Sequence, residues 1–470
     1  MNIRDNEHIK QVRSISEQII SARKKVNKKL RFKHGSTRST RIKYSKKYDY
    51  INTGNMNKIL EINKSKRYVI AQANVSMEQL VRATLRHNLI PSVIPELPRI
   101  TVAGAVQGAA LESSSFKYGQ FNNICLEYEI ITGNGKIIQC SARKNSDLFY
   151  GVSSTYGTLG AMTAIKIKLI PTKKFVLLEY FPTNSNKEMV QLLNKKINKN
   201  PDFVEGIIFG KNNGVIITGK LTNSSRLPKQ TFSKSTDPWF YQHAKQMSKE
   251  GGKILVPLID HLFRYNRGAF WGGEFFFKVL NIHSDRLTKF LFNPVLNTNN
   301  LYQILHKSNY SKQLFIQDIY VPIENTETFI NEAENKLNIY PVWLCPVKPT
   351  RYNERMSPHY INSKMLIDVG IWGNSEKYLR RPHALNLEIE KIMEDLRSRK
   401  MFYASIFYSR EDFWKKYDRK WYNSLRKKYD AIVFPDIYEK LEEKRNAKTN
   451  IAAGIRQIAP LYFKEIFKKN

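Results

Sequence analysis

Residues 101–119 read TVAGAVQGAALESSSFKYG, a run of Gly, Ala and Ser with almost no charge in a chain otherwise crowded with lysine. Side chains this small let a backbone come within hydrogen-bond distance of a bulky group, and glycine also permits positive φ where the chain turns sharply. The stretch demands a fold whose main chain itself lines a ligand. A phosphate-bearing cofactor is the first expectation.

The flanking sequence supplies a scaffold. DNEHIKQVRSISEQIISARKKV sets Ile9, Val12, Ile15, Ile19 and Ile20 near helical spacing, and a basic loop is expected after it. YVIAQANVSMEQLVRATLRHN predicts a strand, a turn with Ser76 as N-cap, and a helix turning Leu80, Val81 and Leu85 inward. LIPSVIPELPRITVAGAVQGAA holds three prolines and is not expected to form a regular helix. ICLEYEIITGNGKIIQC alternates and turns at Gly133, Asn134 and Gly135, the pattern of a hairpin. AMTAIKIKLIPTKKFVLLEYFP adds a strand that Pro171 brings to an end. A first α+β domain is therefore expected over 1–174. Residues 175–470 then form a second α+β domain: strands in VEGIIFG, NGVIITGKL and LFIQDIYVP, aromatic-rich stretches, and amphipathic helices in HALNLEIEKIMEDLRSRK and IYEKLEEKRN toward the end.

Composition narrows the class. At 470 residues and 41% hydrophobic, the chain can bury substantial cores. Cys125, Cys140 and Cys345 have no paired spacing, so neither a disulfide framework nor a metal site is expected. No apolar run reaches membrane-spanning length and the start lacks the apolar core of a signal peptide, so a cytoplasmic protein is expected. The surplus of 77 Lys and Arg over 41 Asp and Glu gives +36. That charge suits solubility and peripheral contact with an anionic membrane. It comes without a zinc finger, an RNA-binding aromatic motif or a basic zipper, so no specific nucleic acid is expected. HExxH, GxSxG and Walker A patterns are missing, as is a GxGxxG joining strand to helix, so a nicotinamide donor would have to visit rather than reside.

The order of a basic Gly/Ser/Thr loop, then TVAGAVQGA, ESSSFKYG, EYEIITGNGKI and NSDLFYGVSSTYGTLGAMTAIKIKLIP resembles the FAD-binding domain of the vanillyl-alcohol oxidase and p-cresol methylhydroxylase (PCMH-type) flavoproteins. Within that group the chain is similar to the delta(24)-sterol reductase (24-dehydrocholesterol reductase) family. The likeness continues through FRYNRGAFW, QDIYVPIENTETFINEA, IYPVWLCP, MLIDVGIWG and YSREDFWKKYD to FPDIYEKLEE, nearly the whole chain.

The resemblance implies a PCMH-type FAD domain over 1–174 and a substrate-binding cap with a helical C-terminal part over 175–470. It implies that HGSTRST receives the pyrophosphate, with Gly35, Ser36 and Thr37 presenting backbone N–H groups and Arg38 adding charge. His34 precedes the glycine where some relatives carry a flavin-linked histidine elsewhere, so the FAD is expected to be non-covalent. Thr101, Val102, Ala103, Gly104 and Ala105 would lie along the flavin. Gly108 would allow close approach, Glu112, Ser113, Ser114 and Ser115 would offer polar partners, and Tyr118 and Gly119 would close the turn. Gly157, Thr158, Gly160 and Ile165 would approach from the other side.

The implied reaction is reduction of the C24=C25 bond of a sterol side chain, with NADPH as visiting donor. An isolated alkene is not polarised, so protonation must lead or accompany hydride addition. Protonation at C24 leaves developing cation at the tertiary C25. A proton donor and aromatic faces are therefore expected. Tyr403 and Tyr408 are the candidate acids, and Tyr265, Phe270, Trp271 and Trp414 the candidate faces. Glu411, Glu112 and Glu129 are further carboxylates to weigh. Two other functions remain open on the residues: an oxygen-using FAD-linked oxidase of an alcohol or lactone, and a non-enzymatic basic binding protein on a decayed flavin fold.

Overall fold

In the computed structural model, which describes residues 1, 3–24, 28–34, 47–442 and 450–467, the alternation in ICLEYEIITGNGKIIQC becomes a hairpin. Strand Cys125–Ile131 pairs antiparallel with Ile137–Ser141, Ile131 opposite Ile137. Gly135 takes φ +84° in the turn, where glycine pays no steric penalty. The hairpin is one edge of a six-stranded sheet whose order runs Ile59–Asn63, Tyr68–Gln72, Ala161–Pro171, Cys125–Ile131, Ile137–Ser141, with Leu89–Pro91 also paired to Ala161–Pro171. All of its pairings are antiparallel.

The expected elements form, with differences that have physical causes. Ser76 caps helix Met77–Leu85 in a reciprocal box with Gln79. That helix buries Leu80, Val81 and Thr84, and the Thr84 hydroxyl is satisfied by donating to the Leu80 carbonyl at 3.0 Å. Leu85 is only half-buried. The first helix, Asn6–Arg23, starts on Asp5 and buries Val12, Ile15 and Ile19 as expected, but His8 takes the inward position beside Ile9, and Ile20 is 42% exposed. His8 is inward because it has partners there. Lys58 N–H donates to Gln72 Oε1, so the Gln72 amide nitrogen donates to His8 Nδ1 at 3.0 Å, leaving His8 Nε2 to donate to Glu129 at 2.8 Å. Part of the expected basic loop is strand: Lys29–Lys33 pairs parallel with Tyr48–Asn52. The proline-rich stretch is irregular through its prolines, yet helix Val102–Gln107 follows the last of them.

A second sheet is eight-stranded, in the order Gly252–Pro257, Phe175–Thr183, Asn213–Thr222, Phe203–Gly210, Val342–Val347, Leu366–Gly373, Phe315–Pro322, Arg399–Lys400, and is antiparallel throughout. Helices Asn186–Asn198, Thr326–Leu337 and Pro382–Asp395 bury Met189, Leu193, Phe329, Ile330, Leu385 and Ile389. Among the described residues, no helix is long and apolar enough to cross a membrane. Cys125, Cys140 and Cys345 are buried, and none of them is in a disulfide.

The chain divides into two units, neither continuous in sequence: Met1–Thr172 with Lys348–Asn362 and Met401–Glu443, and Lys173–Val347 with Ser363–Lys400 and Lys444–Asn470. The division at 172 and 173 falls beside the expected one at 174. The expected assignment of all of 175–470 to one unit differs from this grouping, because two later segments return to the first unit. That return is through specific contacts: Gly133 N–H donates to the Tyr429 carbonyl at 3.1 Å, and Lys348 N–H to the Ser115 carbonyl at 3.0 Å.

Candidate functional site

The stretch 101–119 folds as a short helix followed by a tight, self-bonded loop. Thr101 caps Val102–Gln107 by accepting the Gly104 N–H on its hydroxyl at 3.1 Å. The N–H groups of Val102 and Ala103 donate to the carbonyls of Val75 and Ala73, which fixes the helix against the end of the Tyr68–Gln72 strand. Val102 and Ala105 point into the core, fully buried. A Cβ on Gly104 would stand 2.9 Å from Thr101 Oγ1, and one on Gly108 would stand 2.8 Å from the Gly104 carbonyl. Ser114 donates to the Ser92 carbonyl at 2.6 Å, Ser113 donates to Glu112 Oε2 at 2.8 Å, and Ser115 Oγ accepts the Glu112 N–H at 3.0 Å. These hydroxyls hold the loop together from within. Tyr118 ends the last helical turn and Gly119 reverses the chain at φ +77°, with Asn123 packed where a side chain would go.

The second segment, 151–160, is conformationally unusual. Ser154, Tyr156, Gly157 and Gly160 all take positive φ, at 59°, 51°, 77° and 159°. Non-glycine residues rarely hold that region unless surroundings force it, and such clusters mark ligand-binding loops. Here the surroundings are the returning segment 401–443. Tyr422 donates to Thr158 Oγ1 at 2.8 Å, Arg426 donates to the Thr158 carbonyl at 2.7 Å, and Lys440 donates to the Tyr156 carbonyl. Gly157 faces Gln107, the last residue of the first segment's helix, 3.3 Å from where a Cβ would sit, so the two segments adjoin. Ile165 lies within the Ala161–Pro171 strand, fully buried and paired on both sides.

This arrangement fits a phosphate-bearing flavin. Two backbone segments adjoin at Gly108 and Gly157, where a Cβ would stand 3.8 Å from Tyr156 and 3.3 Å from Gln107. The buried hydroxyl of Ser154 has no hydrogen-bond partner among the described residues, whereas that of the neighbouring Ser153 faces the Glu354 carboxyl and helps to lower it. Buried hydroxyls are ordinarily satisfied, so that of Ser154 awaits a partner. The sequence reading singled out glycines in this loop and missed both serines; the signal available was their place in SSTYG, directly before the strained turn. Gly35, Ser36, Thr37 and Arg38 lie outside the described residues, and His34 stands half-buried at the end of strand Lys29–Lys33.

The candidate acids fall in the same unit as these segments. Tyr403 and Tyr408 are both half-buried in 401–443. The Tyr408 carbonyl accepts the Tyr438 hydroxyl at 3.0 Å, and the Lys416 ammonium lies 5.2 Å from the Tyr408 ring centre. Trp414 packs on Tyr422, and Glu411 is exposed. Glu129 is occupied by His8 and by the Thr163 hydroxyl at 2.7 Å, a tie between helix and sheet. Tyr265, Phe270 and Trp271 belong to the other unit, where they pack with Trp343 and Trp372: Tyr265 stacks on Phe270 at 3.9 Å, and Phe270 meets Trp372 at 4.6 Å. Tyr265 and Trp343 both donate to the buried Glu205, at 2.9 and 2.8 Å, so these two rings are core, as is Trp271, while Phe270 is half-buried.

Sequence reasoning also missed a buried polar group in 348–362. Glu354 accepts from the amides of Asn122 at 2.8 Å and Asn123 at 2.9 Å, and His359 stands 3.4 Å from its carboxylate. Burial pushes the Glu354 carboxyl up to about 8, against the amide hydrogen bonds that lower it.

Comparison with known proteins agrees with this geometry. The family model of an FAD binding domain matches residues 17–141. The delta(24)-sterol reductase of Homo sapiens is 29% identical over 398 residues, 82% of this chain and 76% of the relative. A delta(24)-sterol reductase homolog of Caenorhabditis elegans is 28% identical over 94% of this chain and 89% of its own. The delta(24)-sterol reductase of Pisum sativum is 28% identical over 84% of this chain and 76% of its own. FAD is the cofactor of this fold, and the chain is an FAD-linked oxidoreductase.

Proposed function

Because this chain belongs to the delta(24)-sterol reductase family of FAD-binding flavoproteins, we propose that it reduces the C24=C25 double bond of a sterol side chain with NADPH as electron donor. What supports this reading is the reach of the likeness: it covers 82–94% of the chain in these relatives, whereas the FAD model ends at residue 141. Likeness beyond the cofactor domain speaks to substrate.

FAD, when bound, supplies hydride chemistry. The chain's own part is to hold the cofactor and manage a proton. Gly104 and Gly108 allow close approach of backbone; Ser154 offers an unengaged hydroxyl; the loop at Gly35, Ser36, Thr37 and Arg38 takes the pyrophosphate. Tyr403 or Tyr408 donates the proton to C24, because the more substituted C25 better bears positive charge. A phenol can give up its hydroxyl proton as positive charge develops on the alkene. The protein acts in the cytoplasm, and its +36 charge brings it to the anionic surface where a sterol resides.

The test is turnover of purified, FAD-loaded protein with NADPH and a sterol carrying a C24=C25 bond, read as the saturated product by mass spectrometry, with solvent deuterium at C24. Rapid reoxidation by oxygen after reduction by an alcohol, with sterol untouched, would establish the oxidase reading instead. Sedimentation with anionic liposomes that is the same at low and high salt would remove the membrane contact, since surface attraction is screened within about 8 Å at physiological ionic strength.

A further inference from the structure

The buried pair Glu354 and His359 has no part in the reaction above, yet it is fastened to the stretch 112–123 at several points. The two residues are 3% and 0% exposed. The orientation of Asn123 is set by the main chain: its Oδ1 accepts the Gln120 N–H at 2.8 Å, so its amide nitrogen is the group that donates to Glu354. His359 Nε2 faces that same Oδ1 at 3.2 Å and the Glu354 carboxylate at 3.4 Å. The Asn123 oxygen can only accept, so Nε2 carries a hydrogen.

On the other side of the ring, Nδ1 meets the Ser357 hydroxyl, whose oxygen also lies 3.2 Å from Gln120 Oε1. A hydroxyl has a single proton to give. With Nδ1 bare, Ser357 donates to it. With Nδ1 protonated, the ring donates to Ser357, and Ser357 turns its proton to Gln120. The extra proton therefore completes a chain from Glu354 through His359 and Ser357 to Gln120, and compensates the buried carboxylate. Gln120 follows Gly119, whose positive φ and tight contact with Asn123 make that turn intolerant of displacement.

We propose that Glu354 and His359 are a positioning pair for FAD: through Asn122, Asn123 and Gln120 they hold the Gly119 turn, and with it 112–119, in the shape that receives the cofactor, and they do so only while the pair carries its shared proton. The inference rests on the assignment of 112–119 to the FAD site. Burial raises the Glu354 carboxyl to about 8. The ionisable groups that face it besides His359 are Cys125 and Tyr128 on the adjoining strand and Tyr150 on helix Ser146–Gly151. Burial raises all of these, so they stay neutral as the pair titrates. A group whose folded pKa is raised holds its contribution at low pH and loses it as pH rises through the folded value. FAD affinity is therefore full near neutrality and falls above about pH 8.

Deflavinated protein titrated with FAD, read by quenching of flavin fluorescence, tests this at about pH 6.5 and about pH 9. Wild type is expected to bind about tenfold more weakly at the higher pH, the scale of one charge-assisted hydrogen bond. Ser357→Ala removes the hydroxyl that stands between His359 Nδ1 and Gln120 and leaves Glu354 and His359 in place. It is expected to keep a native circular dichroism spectrum, to bind weakly at both values and to show a flat profile, as is His359→Asn. Should His359→Asn not fold, Ser357→Ala decides. A flat wild-type profile, or a Ser357→Ala protein with the wild-type profile, overturns the proposal. Wild type that binds no FAD at either pH is a separate failure, of the cofactor assignment itself.

Discussion

Arg426 donates to the carbonyl of Thr158 at 2.7 Å across 268 positions of sequence, and the same guanidinium holds the carbonyls of Phe434 and Pro435 at 2.8 and 3.1 Å. One side chain thus ties the strained loop 151–160 to the returning segment. Arg426→Ala is expected to leave these carbonyls unpaired, at a cost of about 1–3 kcal/mol each where water cannot replace the donor. Thermal melts should drop and FAD should dissociate faster. A melt and an off-rate equal to wild type would show that the loop holds its shape unaided.

The cofactor should be retained without a covalent bond. Purified protein is expected to be yellow, and acid precipitation should release FAD to the supernatant; colour in the pellet would place a link at His34 or elsewhere. Gly104→Val should deplete FAD, because its Cβ would press on Thr101 Oγ1 at 2.9 Å and its methyls would fill the space backbone approach requires. A fully flavinated Gly104→Val protein would show that the cofactor lies elsewhere.

Docking of 401–443 depends on the hairpin turn. A Cβ at Gly133 would overlap the Asp430 carbonyl, a main-chain atom that cannot swing aside. Gly133→Ala is expected to destabilise by about 1–3 kcal/mol, the usual cost of overpacking, measured by denaturant titration. Gly210→Ala, where nothing stands within 4 Å, is the control and should lose only what its strand position costs.

Acid should weaken the contact between 401–443 and the first strands. Burial would raise the Glu439 carboxyl, but hydrogen bonds from Lys29 at 2.6 Å and Lys47 at 2.9 Å outweigh it and hold the group at about 2. A depressed carboxyl contributes stability above its unfolded pKa, about 4.3, and loses it as pH falls toward the folded value. The difference in melting temperature between wild type and Glu439→Gln should therefore shrink from about pH 5 to about pH 2. A constant difference would mean the pair carries no net stabilisation.

The proton donor can be identified by kinetics. Tyr403→Phe or Tyr408→Phe should slow sterol reduction by about 10²-fold or more if that hydroxyl is the acid, while reduction of the bound flavin by NADPH stays near wild type. Unchanged turnover in both variants would exclude phenolic acid catalysis at these positions.

Much of this protein was determined locally and could be read from the chain. The Ser76 box, the Gly135 turn, the alternating strands and the small residues of 101–119 depend on interactions a few residues apart, and their chemistry is visible in the letters. His8, Ser153, Glu354 and Arg426 were not legible in this way. As letters they are an ordinary surface histidine, a loop serine, a charged loop residue and one more base in a chain with 77. What they do depends on desolvation and on partners brought from far away: Glu129 for His8, Asn122 for Glu354, Thr158 for Arg426. The same holds for the grouping of 348–362 and 401–443 with the first unit. Helical periodicity in those segments says that a face will be buried, but only the tertiary fold chooses the surface that buries it, because apolar burial carries no address and the hydrogen bonds that do are made across hundreds of residues.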